Sequence, residues 1–223
     1  MSKHVSKLQV AMAWLLGICL MGPVAHASDN VYNLVDTTTR QVMDVIGAAQ
    51  EYADEDPERY YGEIQGLLDP LIDYRGFARQ VMGPYASSQR YRSLGEDDRK
   101  KLRGQLDRFT EVMRSSLVRT YGKGLLAFGD ARIELELPGD TTTTTSRVSV
   151  KQLIYSDRVD PYVVFYQMGQ GKDGGWRLRN VIIETVNLGE IYRDQFLASA
   201  RELDGDLDAV IDGWTTVTVD VET

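Results

Sequence analysis

Apolar residues return at every third or fourth position through the first half of this chain, and at every second position through much of the remainder. Val35, Val42, Val45, Ile46, Ala49 and Tyr52 mark one face of an amphipathic helix over 31–53. Asp56-Pro57 supplies an N-cap and a favoured first-turn proline for a shorter helix through Tyr60, Ile64, Leu67 and Leu68, which Asp69-Pro70 stops. Asp73 caps the next, with Phe77, Val81 and Met82 inward and Gly83-Pro84 at its end. The longest helix is expected over 94–121. Ser93 and Glu96 have capping-box spacing, and three acids precede three bases as the helix dipole prefers. Leu102, Leu106, Phe109, Met113 and Leu117 fall within an arc of about 80° on it. That stripe is either core or the wall of a cavity.

After Gly122-Lys123-Gly124 the period changes to two. Ile133, Leu135 and Leu137 alternate with Arg132, Glu134 and Glu136, a half-buried strand that Pro138-Gly139-Asp140 turns. Five threonines at 141–145 read as loop or strand edge. A second strand includes Val148, Val150 and Ile154; a third holds Tyr162, Val164, Tyr166 and Met168, with Val163 and Phe165 on its other face. A glycine-rich turn over 169–175 leads to a fourth strand over 176–186, then helices near 188–200 and 207–214. Val217, Val219 and Val221 alternate in the closing residues, an added strand or a frayed end. Helices followed by consecutive turn-linked strands give an α+β fold with an antiparallel sheet of four strands. Such a sheet can curl around helices and leave a pocket between the layers. No repeat or linker divides the chain.

Residues 1–27 read as a secretory signal peptide: a basic start (Lys3, Lys7), an apolar run from Leu8 to Val24, and a small-x-small end at Ala25-His26-Ala27. The apolar run is 17 residues with Gln9, Gly17, Gly22 and Pro23 in it, short for a spanning helix. Ile18 before Cys19 is too large for a lipoprotein signal. Cleavage removes 27 of 223 residues and leaves 196, one domain over 28–223. It also removes both histidines and the only cysteine, and with them the commonest general base, thiol nucleophiles and disulfides. Two lysines and no acid lie in the leader, so the formal charge moves from −8 to −10. That balance argues against nucleic acid and against a polybasic grip on anionic lipid.

An enzyme built from what remains needs carboxylates, tyrosine, lysine or serine. Glu134 and Glu136 occupy the solvated face of their strand, and Asp157 and Asp160 bracket a turn. Glu184 follows Val181-Ile182-Ile183 in an apolar strand, where a carboxylate is either a base of raised pKa or a structural hydrogen-bonding group. The glycines of 169–175 lack the Lys-Ser/Thr and the following helix of a phosphate loop.

The stretch from Trp176 to Phe196, with the upstream part from Asp73 through Met82-Gly83 to Tyr121, resembles the MlaC-type periplasmic phospholipid-binding proteins, the toluene-tolerance auxiliary family. Trp176, Val181, Ile183, Glu184, Val186, Leu188, Tyr192, Arg193, Gln195 and Phe196 match the family pattern. Asn180, Thr185 and Asn187 stand where the family usually has Asp, Gly and Ser.

The resemblance implies an NTF2-like fold, a curved four-stranded antiparallel sheet packed with helices around an apolar cavity. It implies a non-enzymatic carrier in the periplasm that holds phospholipid tails as cargo, with no cofactor. Its implied partners are an outer-membrane lipoprotein–porin complex and an inner-membrane ABC transporter bearing an MCE-domain protein, and its implied role is maintenance of outer-membrane lipid asymmetry. The residues expected to line the cavity are Phe109, Met113 and Leu117 from the long helix and Ile133, Leu135, Val148, Val150, Val164, Tyr166 and Ile183 from the sheet. Met113 and Met168 suit tails of varying length. Arg75, Arg79 or Arg193 are candidate phosphate partners; the alternative is a head group that stays in water. Two other readings stand beside the carrier: an isomerase or hydratase on the same scaffold using Glu184 with Tyr162 or Tyr166, and an exported adaptor whose pocket is plain core.

Overall fold

A computed structural model describes residues 27–137, 145–156 and 158–215. The leader over 1–26, the turn at 138–144, Asp157 and the valine-rich residues beyond 215 lie outside the described residues. Five helices lead into the sheet: α1 (Ala27–Ala49), α2 (Pro57–Leu68), α3 (Tyr74–Met82), α4 (Ser88–Ser93) and α5 (Glu96–Leu125). A meander of strands follows, β1 (Arg132–Glu136), β2 (Arg147–Tyr155), β3 (Tyr162–Gln170), β4 (Trp176–Ile183) and β5 (Val186–Asn187), then α6 (Leu188–Glu202) and α7 (Leu207–Asp212). The sheet is antiparallel throughout, in the order β1-β2-β3-β4-β5. The α+β architecture read from the residues is the one observed.

The caps are where side-chain chemistry demands them. Asp56 accepts from Arg59 N at 3.2 Å and opens α2; Asp73 accepts from Gly76 N at 2.9 Å and opens α3. Gly83 ends α3 with a φ of 54°, a conformation in which a Cβ is strained. Ser93 does not open the long helix. Its hydroxyl donates to Arg90 O at 2.8 Å, closing α4, and Gly95 stands at the N-cap of α5 without a side-chain bond. Helix α5 also runs past Gly122 to Leu125 rather than ending at Tyr121. Gly122 is buried, its carbonyl accepts from the Tyr60 hydroxyl at 2.9 Å, and a Cβ there would stand 3.0 Å from the Tyr61 ring. The glycine permits close approach of α2; it does not terminate the helix.

Five strands stand where four are expected. The chain turns sharply at Glu184-Thr185, so Val186 and Asn187 fold back onto Ile183 and Ile182 instead of extending β4. Glu184 has a φ of 54°, the left-handed conformation that a two-residue hairpin loop calls for. Its N–H donates to Val163 O at 2.7 Å and its carboxylate accepts from Val163 N at 3.1 Å, which holds a non-glycine residue in that conformation.

Three apolar clusters hold the layers together. One joins α3, α5, α6 and α7 through Phe77, Phe109, Tyr192, Phe196 and Trp214. A second seats Val31 and Val35 of α1 on Val150, Met168, Trp176 and Leu178 of the sheet. A third joins the far half of α1 to α2 and α5 through Ile46, Tyr60, Ile64 and Val118.

Candidate functional site

Directly opposed residues of neighbouring strands share a face, so the register defines apolar rows across the sheet. Val148, Met168 and Leu178 form one row; Val150, Tyr166 and Val181 the next; Leu135, Gln152, Val164 and Ile183 the third; Ile133, Ile154 and Tyr162 the last. Ile133, Leu135, Val148, Val150, Val164, Tyr166 and Ile183 all lie on this one face. A bulge makes the rows continuous. Gln167 pairs with Asn180 but Met168 pairs with Leu178, so Arg179 is an extra residue in β4. Without it Trp176 and Leu178 would face away from Val181 and Ile183.

The rows are not covered alike. Helix α1 packs on the first two through Val31 and Val35. Val181 and Ile183 touch the edge of the helical cluster. Ile133, Ile154, Tyr162 and Val164 belong to none of the three clusters, either as members or as partly buried neighbours. Val164 is nonetheless only 5% exposed. Ile133, Ile154 and Tyr162 beside it are half-buried, and the four together form an apolar floor on the face of the sheet that α1 covers further along.

Polar groups mark the boundary of that floor. Gln152 is buried; it accepts from the Tyr166 hydroxyl at 2.9 Å and donates to Thr39 Oγ1 of α1 at 2.8 Å. Burial pushes the Tyr166 phenol up to about 12. At the outer end, Phe128 meets Tyr162 edge-on at 5.6 Å, and the Arg158 guanidinium lies 4.2 Å from the Tyr162 ring centre and 3.5 Å from the Glu184 carboxylate.

From the long helix, Phe109 and Met113 are fully buried in the helical cluster, where the Phe109 ring lies 5.0 Å from Phe196 and 5.1 Å from Trp214. Both belong to the packed helical core. Leu117, one turn further, is half-buried at the cluster's edge beside Tyr121, whose hydroxyl meets that of Tyr192 at 2.6 Å. Ile154, Tyr162, Val181 and Phe128 were missed by the residue-level reading. Ile154, Tyr162 and Val181 carried the right strand parity, and Phe128 lies in a short 3-10 turn that no periodicity announces.

Glu184 is committed to its hairpin, and the Tyr166 hydroxyl to Gln152. Arg75 is ion-paired with Asp107 of α5. Arg193 lies against Gly83 at the end of the same helix, its Nε 3.2 Å from where a Cβ would stand. Among the described residues no group of His, Cys, Asp or Glu is arranged to hold a metal ion, and no helix is long and apolar enough to cross a membrane.

A family description, "MlaC protein", matches residues 36–216, most of the chain. The chain belongs to the MlaC family. A relative, "Toluene tolerance protein ttg2D" of Pseudomonas putida, is 28% identical over 188 residues, 84% of this chain and 81% of that protein. Among solved structures, the phospholipid-binding protein from Ralstonia solanacearum, determined in complex with a phospholipid, superposes with a TM-score of 0.66 at 16% identity. The match covers 81% of this chain and 92% of that one, so this MlaC-family chain shares its fold.

Proposed function

We propose that this MlaC-family chain is a periplasmic phospholipid carrier, exported by the leader over 1–27, that buries acyl chains in a hollow opening between this floor of the sheet and the helices. The observation that carries this reading is the apolar floor of Ile133, Ile154, Tyr162 and Val164, outside the three clusters, in a fold shared with a protein solved in complex with a phospholipid. Leu135, Leu117 and Ile183 border it, Val148, Val150 and Tyr166 continue it beneath α1, and Phe109 and Met113 back it from the helical core. The carrier takes lipid from one membrane complex and delivers it to another, an outer-membrane lipoprotein–porin complex and an inner-membrane MCE-domain transporter, and so serves outer-membrane asymmetry. It makes and breaks no covalent bond and needs no cofactor.

The energetics suit a shuttle. Each methylene removed from water contributes about 0.8 kcal/mol, so two chains of about 15 methylenes gain on the order of 24 kcal/mol over water. A bilayer offers nearly the same gain. Transfer between membrane and carrier is therefore close to balanced, and docking or ATP hydrolysis on a partner sets its direction. An enzymatic reading has less to stand on, because the Glu184 carboxylate is held by Val163 N and Arg158.

The test fills the hollow from its floor. Val164→Trp is expected to fold with a Tm near that of the parent and to lose at least ten-fold in uptake of fluorescent phospholipid from vesicles. Unchanged uptake contradicts the proposal. A collapse in Tm also contradicts it, because it would mean that Val164 lies in close-packed core where added bulk costs about 1–3 kcal/mol or more.

A further inference from the structure

The net charge conceals a segregation. Residues 75–108 hold nine Lys and Arg against four Asp and Glu, a surplus of five positive charges in a chain whose total is −8. They build α3, α4 and the first half of α5. A cavity of about 530 Å³ opens where these helices meet, lined by Arg75, Arg79, Arg92 and Arg103 together with Leu102 and Leu106. Leu102 and Leu106 are buried, and Ala86, also buried, adds to the same apolar wall.

Two of the cations are occupied. Arg75 is ion-paired with Asp107, and Arg103 donates to the Tyr91 hydroxyl and lies 5.9 Å from that ring's centre. Asp73, the one carboxylate on the wall, is ion-paired with Arg179 and caps α3 through Gly76 N. Arg79 and Arg92 have no ion pair or side-chain hydrogen bond among the described residues. Two unengaged guanidinium forks, an apolar wall and no free carboxylate make a receptor for an anion.

We propose that this cavity is a second binding site, for a phosphate group read by Arg79 and Arg92. It stands apart from the hollow: Leu106 and Leu117 are eleven residues apart on α5, about 16 Å at 1.5 Å per residue. Phosphate capture here does not depend on the carrier reading. The volume is that of a small-molecule pocket rather than an extended peptide groove. The apolar wall favours a phosphate borne on an apolar body, the head-group end of an anionic lipid, over free phosphate, which shares the same chemistry.

The test is calorimetric titration of the full chain at low salt with two probes, inorganic phosphate and dihexanoyl phosphatidic acid below its micelle concentration. Arg79→Gln/Arg92→Gln is expected to weaken binding at least ten-fold with Tm unchanged, whereas Arg40→Gln/Arg132→Gln, which removes the same charge from exposed arginines on other elements, leaves it unaltered. Arginine-dependent binding of the lipid alone supports the site with a lipid source, and equal, arginine-dependent binding of inorganic phosphate supports it with free phosphate. Binding of neither probe, binding insensitive to Arg79 and Arg92, or an equal loss on Arg40→Gln/Arg132→Gln overturns the proposal. Tighter, arginine-dependent binding of a hexaglutamate peptide also overturns it, in favour of an acidic protein partner.

Discussion

Asn180 and Asn187, two of the three departures from the family pattern, touch each other. The Asn180 amide donates to Asn187 Oδ1 at 2.7 Å and to Gln167 Oε1 at 3.1 Å, and its carbonyl accepts from Gly189 N at 3.0 Å. Asn187 in turn caps α6 by accepting from Glu190 N at 3.3 Å. An aspartate at 180 keeps the bond from Gly189 but sets its carboxylate against two acceptors, which a serine hydroxyl at 187 relieves by donating. Asn180→Asp alone is expected to cost about 1–3 kcal/mol, the penalty for a buried group left unsatisfied. Adding Asn187→Ser is expected to recover much of it in urea unfolding; additive losses would contradict the coupling. The tyrosines give a pH prediction. Burial pushes Tyr166, and likewise Tyr60, up to about 12. An unfolded tyrosine titrates near ~10, so both hold their protons more tightly when folded. Their contribution to stability is complete below pH ~10 and is lost as pH rises through ~12. Tyr166→Phe forfeits the bond to Gln152 but should flatten the alkaline fall of the urea midpoint; an unchanged slope would contradict the assignment. None of these side-chain pairs was legible from spacing, because Asn180–Gln167 and Tyr166–Gln152 meet only across strand pairs.

At the scale of elements, glycine separates what the sequence discloses from what it does not. Gly104 and Gly122 both lie inside α5, yet a Cβ at Gly104 meets nothing within 4 Å, whereas at Gly122 it meets Tyr61 Cδ1 at 3.0 Å. Gly104→Ala is expected to raise stability by about 0.4–1 kcal/mol through helix propensity and a less free unfolded chain. Gly122→Ala is expected to lower it by about 1–3 kcal/mol through overpacking against α2. Thermal unfolding of the pair tests this, and equal shifts of the same sign would contradict it. The helix periods, the Asp caps and the strand alternation were legible because each is a local signal. The end of α5, the break between β4 and β5, and the short α4 were not, since a buried glycine carbonyl, a left-handed Glu184 and the Ser87 cap at Arg90 N depend on the chain around them. The bulge at Arg179 belongs with these. It answers to the ion pair with Asp73 and to the close approach of Gly169, whose Cβ would stand 3.1 Å from Arg179 Nε.

For the whole molecule, bulk charge proved a poor guide to surface chemistry, because the basic residues gather on α3–α5 while the rest of the chain carries the acidic excess. The stripe from Leu102 to Leu117 also divides in three dimensions. Phe109 and Met113 enter the helical core and Leu117 remains at its edge, a distinction that an 80° arc cannot make. The division has an energetic signature. Phe109→Ala should cost about 3–5 kcal/mol, as expected for an aromatic ring removed from a packed core. Ile133→Ala, on the proposed floor of the hollow, should fall well below the ~2–5 kcal/mol of a core position and instead change which lipids are retained. Equal losses in denaturant unfolding would mean that the floor is packed after all. The most direct measurement is mass spectrometry of the protein purified without detergent and then denatured. The account predicts diacyl phospholipid released in stoichiometric amount, and a protein that emerges empty would contradict it.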